Sequence, residues 1–345
     1  MRIAQIMAGA PQGGAELFFE RLSIALHQAG EEVLPVIRPD PERMARLQEA
    51  GLRPRGLRFG GPLDPLTRVK AGRLLSEFDA EIAVAWMSRA ASQSPRGTWP
   101  LVGRLGGYYD LKYFRRCDHL VGNTRDIVRW IAEQGWPADR VSYVPNFVDD
   151  FTDVAPADRA ALGVPADAPL VLGLGRLHEV KGFDVLIRAI AALQGVHGVI
   201  AGEGPERQRL AALVRECGVG DRVHLPGWRT DVGALLKAAD VFVSSSRHEP
   251  LGNMVLEAFS AGVPVVAAAA EGPRELITPG GDGLLVDIDD PAALASCIGS
   301  VLGDRVRGAA LAVAGRARFS AEFSAPVVVA AWRELLGELV RKGRR

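Results

Sequence analysis

The chain has little cysteine, no net charge and no long apolar run, and each absence excludes a class of protein. Its 345 residues include three cysteines, at positions 117, 217 and 297, too few and too scattered for a disulfide framework or a set of metal ligands. Basic and acidic residues number 41 each, which argues against a general nucleic-acid binder because such proteins carry a basic excess. No apolar run approaches the roughly 20 residues of a membrane span, and the N-terminus has no signal-peptide pattern. We therefore expect a globular protein of the cytoplasm.

What the chain does contain is an alternation of short apolar runs and helical patterns, typical of parallel sheets with crossover helices. The alternation opens with a strand at Ile3–Ala8 and restarts, after a connector rich in alanine, proline and aspartate, with a strand at Leu170–Gly175. Together with the length, it predicts an α/β protein of two Rossmann-like, doubly wound domains that face a central cleft. The first domain would span residues 1–155 and the second 156–324, followed by a final helix and basic tail over 325–345.

The first candidate site is the pair Gly13-Gly14, at the turn between the first strand and the first helix. Glycines there let the backbone approach an anion, and the helix N-terminus offers N–H donors and the positive end of a dipole. A tight turn that binds nothing is the alternative interpretation.

The second candidate site follows the strand that opens the second half. Gly175-Arg176 stands at the carboxyl end of this strand, and Lys181 follows at the start of the next helix. Two cations beside a helix N-terminus suit a diphosphate, and doubly wound sheets bind ligands at the carboxyl ends of their strands. The alternative is that both cations are solvated loop residues.

The strongest candidate site lies within residues 244–258, where a buried strand ends in a polar loop and a helix begins. Gly252 allows close backbone approach, and Asn253–Val255 form a first helical turn, whose N–H groups have no internal acceptors and can hold phosphate oxygens without a metal. Glu249 precedes the helix, and Glu257 lies about 7–8 Å along its axis. One carboxylate can therefore meet a sugar while the other accepts two ribose hydroxyls. Two unconnected surface charges are the alternative.

In order and spacing, these segments resemble glycosyltransferase family 4, whose members are retaining, nucleotide-sugar-dependent enzymes of the GT-B fold. The resemblance spans essentially the whole chain and includes Gly202-Glu203-Gly204-Pro205 and His224-Leu225-Pro226-Gly227-Trp228. It implies that the last helix crosses back to the N-terminal domain, and that Arg176, Lys181 and Glu249 are catalytic because they would meet the donor diphosphate and its sugar. It also implies donor contacts by Gly13, Gly14, Gly175, Gly204, Trp228, Arg229, Ser246, Gly252, Asn253, Met254, Val255 and Glu257.

One segment departs from the family. Many members carry a histidine at the end of an N-terminal-domain strand, near the acceptor, whereas residues 102–110 here contain none. Arg104, Tyr108, Tyr109 and Asp110 are left as the acceptor-side candidates. The stretch 107–116 also mixes aromatic and basic residues, a combination that suits an anionic membrane surface and equally a cleft-lining loop.

The resemblance implies an enzyme that moves a sugar from a nucleotide-diphosphate donor to a hydroxyl of a glycan or lipid-linked acceptor, of the cell-surface polysaccharide or lipopolysaccharide type. No cofactor or metal is expected, because no Asp-x-Asp or Cys/His cluster is placed to hold one. The enzyme would work in the cytoplasm, with peripheral contact to the inner face of the membrane left open. A sugar-nucleotide epimerase of the same fold and a non-catalytic nucleotide-sugar-binding module are the alternatives.

Overall fold

Strands and helices alternate along almost the whole chain. The structure, a computed structural model, describes residues 1–10, 13–60 and 64–343, so Pro11-Gln12 of the first glycine turn and Arg344-Arg345 of the basic tail lie outside the described residues. The strands are β1 Arg2–Met7, β2 Glu32–Ile37, β3 Arg55–Gly56, β4 Ile82–Trp86, β5 Leu101–Leu105, β6 His119–Gly122, β7 Val141–Tyr143, β8 Leu170–Leu174, β9 His197–Ala201, β10 Val223–Gly227, β11 Val241–Ser244, β12 Val265–Ala268 and β13 Leu284–Val286.

Helices cover both faces of the sheets that these strands form. They are α1 Gly14–Gln28, α2 Pro41–Glu49, α3 Pro65–Glu77, α4 Met87–Gln93, α5 Arg125–Glu133, α6 Phe183–Ala191, α7 Arg207–Glu216, α8 Val232–Ala238, α9 Asn253–Ala261, α10 Glu271–Leu276, α11 Pro291–Gly303, α12 Arg305–Arg318 and α13 Ala325–Gly343. Short 3₁₀ turns include Leu111–Phe114 and Glu179–Lys181.

Both sheets have the same strand order. Within the described residues, the first sheet has seven strands in the order β3-β2-β1-β4-β5-β6-β7, and the second has six in the order β10-β9-β8-β11-β12-β13. The central pairs β1·β4 and β8·β11 are parallel, as are their neighbours. In each sheet the first strand lies beside the fourth, which is the doubly wound order with its switch point between those two strands. The predicted pair of Rossmann-like domains, the architecture of the GT-B fold, is confirmed.

The chain divides into two compact units, one of Met1–Phe147 with Ala325–Arg345 and the other of Val148–Ser324. The predicted boundary after residue 155 is therefore too late, because the segment 148–155 packs with the second unit. There the N–H of Phe151 donates to Ser260 Oγ at 3.0 Å, and the carboxylate of Asp150 pairs with Arg316 at 2.8 Å.

The last helix, α13, belongs to the first unit. Its side chains Trp332 and Leu336 are fully buried in the same core cluster as Ile3 of β1 and Phe18 of α1. Arg333, on the same helix, donates to the carboxylate of Glu31 at 2.6 Å. The predicted return of this helix to the N-terminal domain is confirmed.

Asp-Pro pairs start three of the helices, which explains where those helices begin. The side chains of Asp40, Asp64 and Asp290 each accept the N–H of the third residue that follows, and the proline occupies the first helical position. Proline there sacrifices no hydrogen bond, and an aspartate cap stabilises a helix by about 1 kcal/mol.

Membrane-spanning helices are not found: in residues 1–10, 13–60 and 64–343, the helices are all too short or too polar to traverse a bilayer.

Candidate functional site

The predicted donor residues of the second unit gather at the carboxyl ends of β8 and β11. These two strands pair in parallel, so the loops that leave them, 175–182 and 245–252, emerge side by side at the switch point of the sheet. This is the position where doubly wound sheets bind their ligands. Residues 70 positions apart in sequence are therefore neighbours here because of the sheet topology.

Hydrogen bonds fix these two loops to each other. The N–H of Arg247 donates to the carbonyl of Val180 at 2.8 Å, and Ser245 Oγ donates to the carbonyl of Lys181 at 3.0 Å. Gly182 has a left-handed backbone, φ 61°, and a Cβ atom there would overlap the carbonyl oxygen of Ser245. Glycine is required at 182 both for its backbone conformation and for this close approach.

The loop after β9 is attached in the same way. The N–H of Leu177 donates to the carbonyl of Glu203 at 2.9 Å, and the N–H of Glu206 donates to the carbonyl of Leu177 at 3.0 Å. A Cβ atom at Gly204 would overlap the backbone of Leu177. Gly204, predicted as a donor contact, thus supports the loop that carries Arg176.

Arg176 stands at the exposed side of this loop. In the part of the chain that the structure describes, no carboxylate forms an ion pair with its guanidinium group. An exposed and uncompensated guanidinium at the end of a central strand is available to an anionic ligand.

The side chains of Lys181 and Glu249, both predicted as catalytic, form an ion pair. Both are partly buried, and Ser246 Oγ lies 3.4 Å from the same carboxylate oxygen. The structure therefore brings together three of the predicted residues. Lys181 would have to share its positive charge between Glu249 and any diphosphate that binds.

A second carboxylate positions Glu249, and the sequence did not reveal it. Glu271, at the start of α10, accepts the N–H of Glu249 at 3.2 Å and contacts Nδ1 of His248 at 2.9 Å. Burial alone would raise the pKa of Glu271, but hydrogen bonds from its own backbone N–H, from His248 and from the N–H of Glu249 hold it below its ordinary value. The ionised Glu271 keeps residues 248 and 249 in place beneath the ion pair.

The start of α9 has the predicted geometry, with one exception. Gly252 caps the helix with φ 89°, a left-handed conformation that favours glycine. Asn253 and Met254 occupy the first turn, half-buried. The N–H of Val255, predicted to contact phosphate, already donates to the carbonyl of Gly252 at 2.9 Å. Glu257 lies one turn further on and is buried.

Trp228 and Arg229 lie at the edge of the second sheet, where β10 ends. Trp228 is 65% exposed, which is unusual for a large aromatic side chain. Arg229 forms a bidentate pair with Asp231, at 2.7 and 2.5 Å. β9 separates β10 from β8 in the sheet, so this segment stands beside the central loops and offers an exposed ring.

In the first unit, Gly13 and Gly14 are exposed at the start of α1. The buried carboxylate of Glu16, in the same first turn, accepts the N–H of Ala10 at 2.9 Å and lies against Gly9 and Gly13, where a Cβ atom would overlap it. The sequence did not single out Glu16, although a glutamate at the third helical position commonly folds back on the preceding loop. An anion at this turn would meet that negative charge.

A cavity of about 390 Å³ opens at the switch point of the first sheet, which we name the switch-point cavity. Its lining residues come from the ends of β1, β2 and β4, from the starts of α1 and α4, and from the loop after β5: Ala8–Ala10, Glu16, Arg38, Trp86–Arg89 and Tyr109. Met87 has φ 63°, a conformation that is costly for a residue other than glycine. Strain of this kind concentrates at functional sites, and here it shapes the cavity wall.

Of the four predicted acceptor-side residues, Tyr109 is the one among the described lining residues of this cavity. Tyr108 instead bonds to Asp126 and packs edge-on against Trp130. Asp110 is exposed and pairs with Lys112.

Arg104 lies beneath the cavity rather than in it. Its guanidinium carbon is 4.9 Å from the centre of the Trp86 ring, and it donates to Asn146 Oδ1 at 2.5 Å. Complete burial lowers the pKa of Arg104 to about 10, and nearby Tyr109 opposes the change. Burial also raises the pKa of Tyr109, which Arg104 lowers and Glu16 raises. A buried guanidinium group and a buried carboxylate, those of Arg104 and Glu16, therefore both act on the phenol of Tyr109.

No group of three or more histidine, cysteine, aspartate or glutamate residues within 1–10, 13–60 and 64–343 is arranged to hold a metal ion.

The chain is similar to known proteins in sequence and in fold. Residues 154–318 match the family described as "Glycosyl transferases group 1". The lipopolysaccharide core biosynthesis glycosyltransferase LpsE of Rhizobium meliloti (strain 1021) is 38% identical over 333 residues, 94% of this chain and 96% of the relative. LpsD of the same strain, which has the same description, is 36% identical over 351 residues, 99% of this chain and 100% of the relative. The crystal structure of Anabaena Alr3699/HepE in complex with UDP has a TM-score of 0.85 and covers 98% of this chain and 100% of that one, at 23% identity, a likeness of fold.

Proposed function

The chain belongs to the glycosyl transferases group 1, and we propose that it is a retaining enzyme of family 4 that transfers a sugar from a nucleotide-diphosphate donor to the lipopolysaccharide core. The observation that carries this proposal is the Lys181–Glu249 ion pair at the switch point of the second sheet, with Arg176 exposed on the neighbouring loop. Cations at this position suit a leaving diphosphate, and a carboxylate suits sugar hydroxyls. The names of the relatives LpsE and LpsD support an acceptor in the lipopolysaccharide core.

In the proposed reaction, the bond between the anomeric carbon of the sugar and the donor phosphate oxygen breaks. A bond from the acceptor hydroxyl oxygen to the same carbon forms on the same face, and the hydroxyl proton passes to the leaving phosphate oxygen. Arg176 and Lys181 stabilise the charge that grows on the diphosphate, while Glu249 orients the sugar. We propose a metal-independent reaction because two side-chain cations supply the compensating charge.

Donor binding is assigned to α9 and the loops around it. The amides of Asn253 and Met254 would hold phosphate, the buried carboxylate of Glu257 would accept the ribose diol, and the exposed ring of Trp228 would lie along the base. The complex of HepE with UDP supports a nucleotide donor, and it makes UDP-sugars the first to test.

We also propose a peripheral contact with an anionic membrane, through α3 of the first unit. Leu66 and Val69 on this helix are 63% and 69% exposed and share a face with Lys70 and with Arg73, which pairs with Glu77. In the predicted stretch 107–116, Phe114 is fully buried in the core, whereas Tyr113 is 40% exposed beside Lys112 and could reach the same lipid surface. Exposed aliphatic residues beside cations suit a lipid surface.

Two further cations lie on the opposite side of α3, toward the segment 92–94. Arg68 donates to the carbonyl of Ser92 at 3.0 Å and Arg116 to that of Ser94 at 3.2 Å, so both lie along one segment. Burial and the positive charges of Arg68 and Arg96 lower the pKa of Arg116, as expected for a cluster of like charges.

The experiment that tests the proposed activity is a panel of UDP-, GDP-, ADP- and dTDP-sugars, first in thermal shift and then in turnover. A true donor at 100 times its dissociation constant adds about 2.7 kcal/mol of stability. The selected donor is then incubated with truncated lipopolysaccharide core, with and without EDTA, and NMR of the product shows the anomeric configuration. An inverted anomer contradicts retention, and loss of turnover in EDTA contradicts a metal-independent reaction. Conversion of the donor without acceptor would favour the epimerase.

A further inference from the structure

The switch-point cavity of the first unit carries more positive than negative charge at its rim. Arg38 follows β2, and its N–H donates to the carbonyl of Met7 at 3.0 Å, which fixes it beside the end of β1. Arg89 lies in the first turn of α4, where the strained backbone of Met87 directs the chain along the cavity. Both arginines are exposed, and neither has an ion-pair partner in the part of the chain that the structure describes.

The inner wall of the cavity carries an acidic and a phenolic side chain instead of arginines. Glu16 is the one acidic side chain among the described lining residues, and it is buried and held by the N–H of Ala10. Tyr109 lies within electrostatic range of both Glu16 and the buried Arg104. The wall therefore presents a carboxylate and a phenol, which suit sugar hydroxyls, while the rim presents two unpaired guanidinium groups.

We propose that the switch-point cavity binds an acceptor sugar that carries an anionic substituent, a phosphate or a carboxylate, and that Arg38 and Arg89 recognise this substituent. Guanidinium groups form bidentate, charge-assisted hydrogen bonds with phosphate and carboxylate, and these discriminate strongly against a neutral analogue. The carboxylate of Glu16 accepts hydrogen bonds from hydroxyls of the same sugar, and the phenol O–H of Tyr109 donates one to them. This inference rests on the proposed function, because it names the acceptor class of the same enzyme.

The test measures binding of three small probes to the full chain by calorimetry: glucose 6-phosphate, glucuronate and methyl glucoside. We expect a charged probe to bind at least about 10-fold more tightly than the neutral glucoside. Arg38→Gln and Arg89→Gln should each weaken the charged probe by about 10-fold and leave methyl glucoside unchanged. The two charged probes separate phosphate from carboxylate recognition.

Arg53→Gln is the matched control, because Arg53 is an exposed arginine of the same unit that does not line the cavity. The inference is wrong if Arg53→Gln weakens binding as much as Arg38→Gln, if methyl glucoside binds as tightly as the charged probes, or if none of the three binds. UDP binding by the same samples reports on the second unit separately. If the wild type does not bind UDP, that result counts against the proposed donor. The probe results test separately whether the switch-point cavity recognises an anionic sugar.

Discussion

The ammonium group of Lys181 is paired with the carboxylate of Glu249, although the two residues lie in loops that follow different strands of the second sheet, β8 and β11. The pair compensates a positive charge at the place proposed for a donor diphosphate. Glu249 is itself held by Glu271 through its backbone N–H, at 3.2 Å, so the position of the carboxylate is fixed before a ligand arrives. A diphosphate that binds here must then interact with Lys181 while the positive charge of this lysine is already partly compensated by Glu249.

Glu249→Gln should tighten binding of the free nucleoside diphosphate and at the same time lower turnover. Removing the carboxylate leaves the charge of Lys181 to the diphosphate, a gain of about 1 kcal/mol or about 5-fold in Kd. Loss of the sugar contact should lower kcat by about 100-fold. Calorimetry with UDP and initial rates with the UDP-sugar measure the two effects. Glu216→Gln, an exposed carboxylate at the far end of α7, should change neither, and an unchanged or weaker UDP affinity in Glu249→Gln would contradict the shared-charge account.

Arg176→Ala should lower kcat for transfer more than it raises KM for the donor. If the guanidinium stabilises charge that develops as the diphosphate leaves, its loss acts on the transition state, by about 100-fold. Steady-state kinetics at saturating donor measures the change. Arg188→Ala, which removes an exposed arginine from α6, serves as the control. A normal kcat in Arg176→Ala would assign this residue to ground-state binding.

Glu257→Gln should abolish the preference for a ribose over a deoxyribose. The wild type should bind a nucleoside diphosphate about 10-fold more tightly than its 2′-deoxy counterpart, because a carboxylate accepts the hydroxyl protons in charge-assisted hydrogen bonds. The variant should bind the two ligands equally. Because Glu257 is buried, a melting curve must first show that the variant is folded. A ribose preference that persists in the folded variant would place the ribose elsewhere.

His119 should make the first unit sensitive to mild acid. Burial lowers its pKa to about 4, with a further decrease from Lys342 and an opposing effect of Asp139. The unfolded chain takes up this proton near pH 6.5, so the stability linked to neutral His119 is present above pH 6.5 and decreases toward pH 4, by about 3 kcal/mol in total.

His119→Gln tests this dependence. Glutamine keeps a polar group toward Ser142, whose hydroxyl oxygen lies 2.9 Å from Nε2, but it cannot be protonated. Urea unfolding between about pH 7 and pH 4.5 should show a smaller loss of stability in the variant than in the wild type. Parallel losses in the two proteins would mean that other groups control the acid response.

Leu66→Ser/Val69→Ser should weaken binding to vesicles that contain phosphatidylglycerol by about 10-fold, because two aliphatic side chains no longer enter the lipid. Sedimentation with vesicles at low and high salt measures the effect, and neutral phosphatidylcholine vesicles should bind little. Val306→Ser is the control, since Val306 is 82% exposed on the second unit. Equal loss in the control, or no binding by the wild type, would contradict the membrane contact.

Strongly patterned elements of the sequence predicted the fold well. The strand predicted at Leu170–Gly175 is β8, Leu170–Leu174, and the helix predicted to begin at Asn253 is α9, because a short apolar run and a glycine cap define them locally. Thr124 likewise caps α5 through a local contact, with its hydroxyl accepting the N–H of Ile127. In each case the signal lies within a few residues of the element that it determines.

Features that depend on distant residues were not predictable in the same way. Helix α12, Arg305–Arg318, mixes arginine, glycine and alanine, so its apolar face is short and gave no clear period. The burial of Arg104 depends on Trp86 and Asn146, which belong to other parts of the chain. Glu271 and Glu249 likewise meet only because a loop brings α10 beneath the ion pair. Pairings of this kind follow from the assembled sheet and not from local spacing.

The hydrogen bonds that join the loops after β8, β9 and β11 have a consequence for engineering donor specificity. Leu177 is bonded to the loop that contains Glu203, and Arg247 is bonded to Val180, so a grafted loop from another enzyme would lose its backbone partners. A Cβ atom at Gly182 would overlap the backbone of Ser245, and one at Gly204 would overlap the backbone of Leu177, so a grafted loop must follow the same close path. Exchange of donor preference between relatives would therefore require residues 175–182, 202–206 and 245–252 to be transplanted as a single cassette.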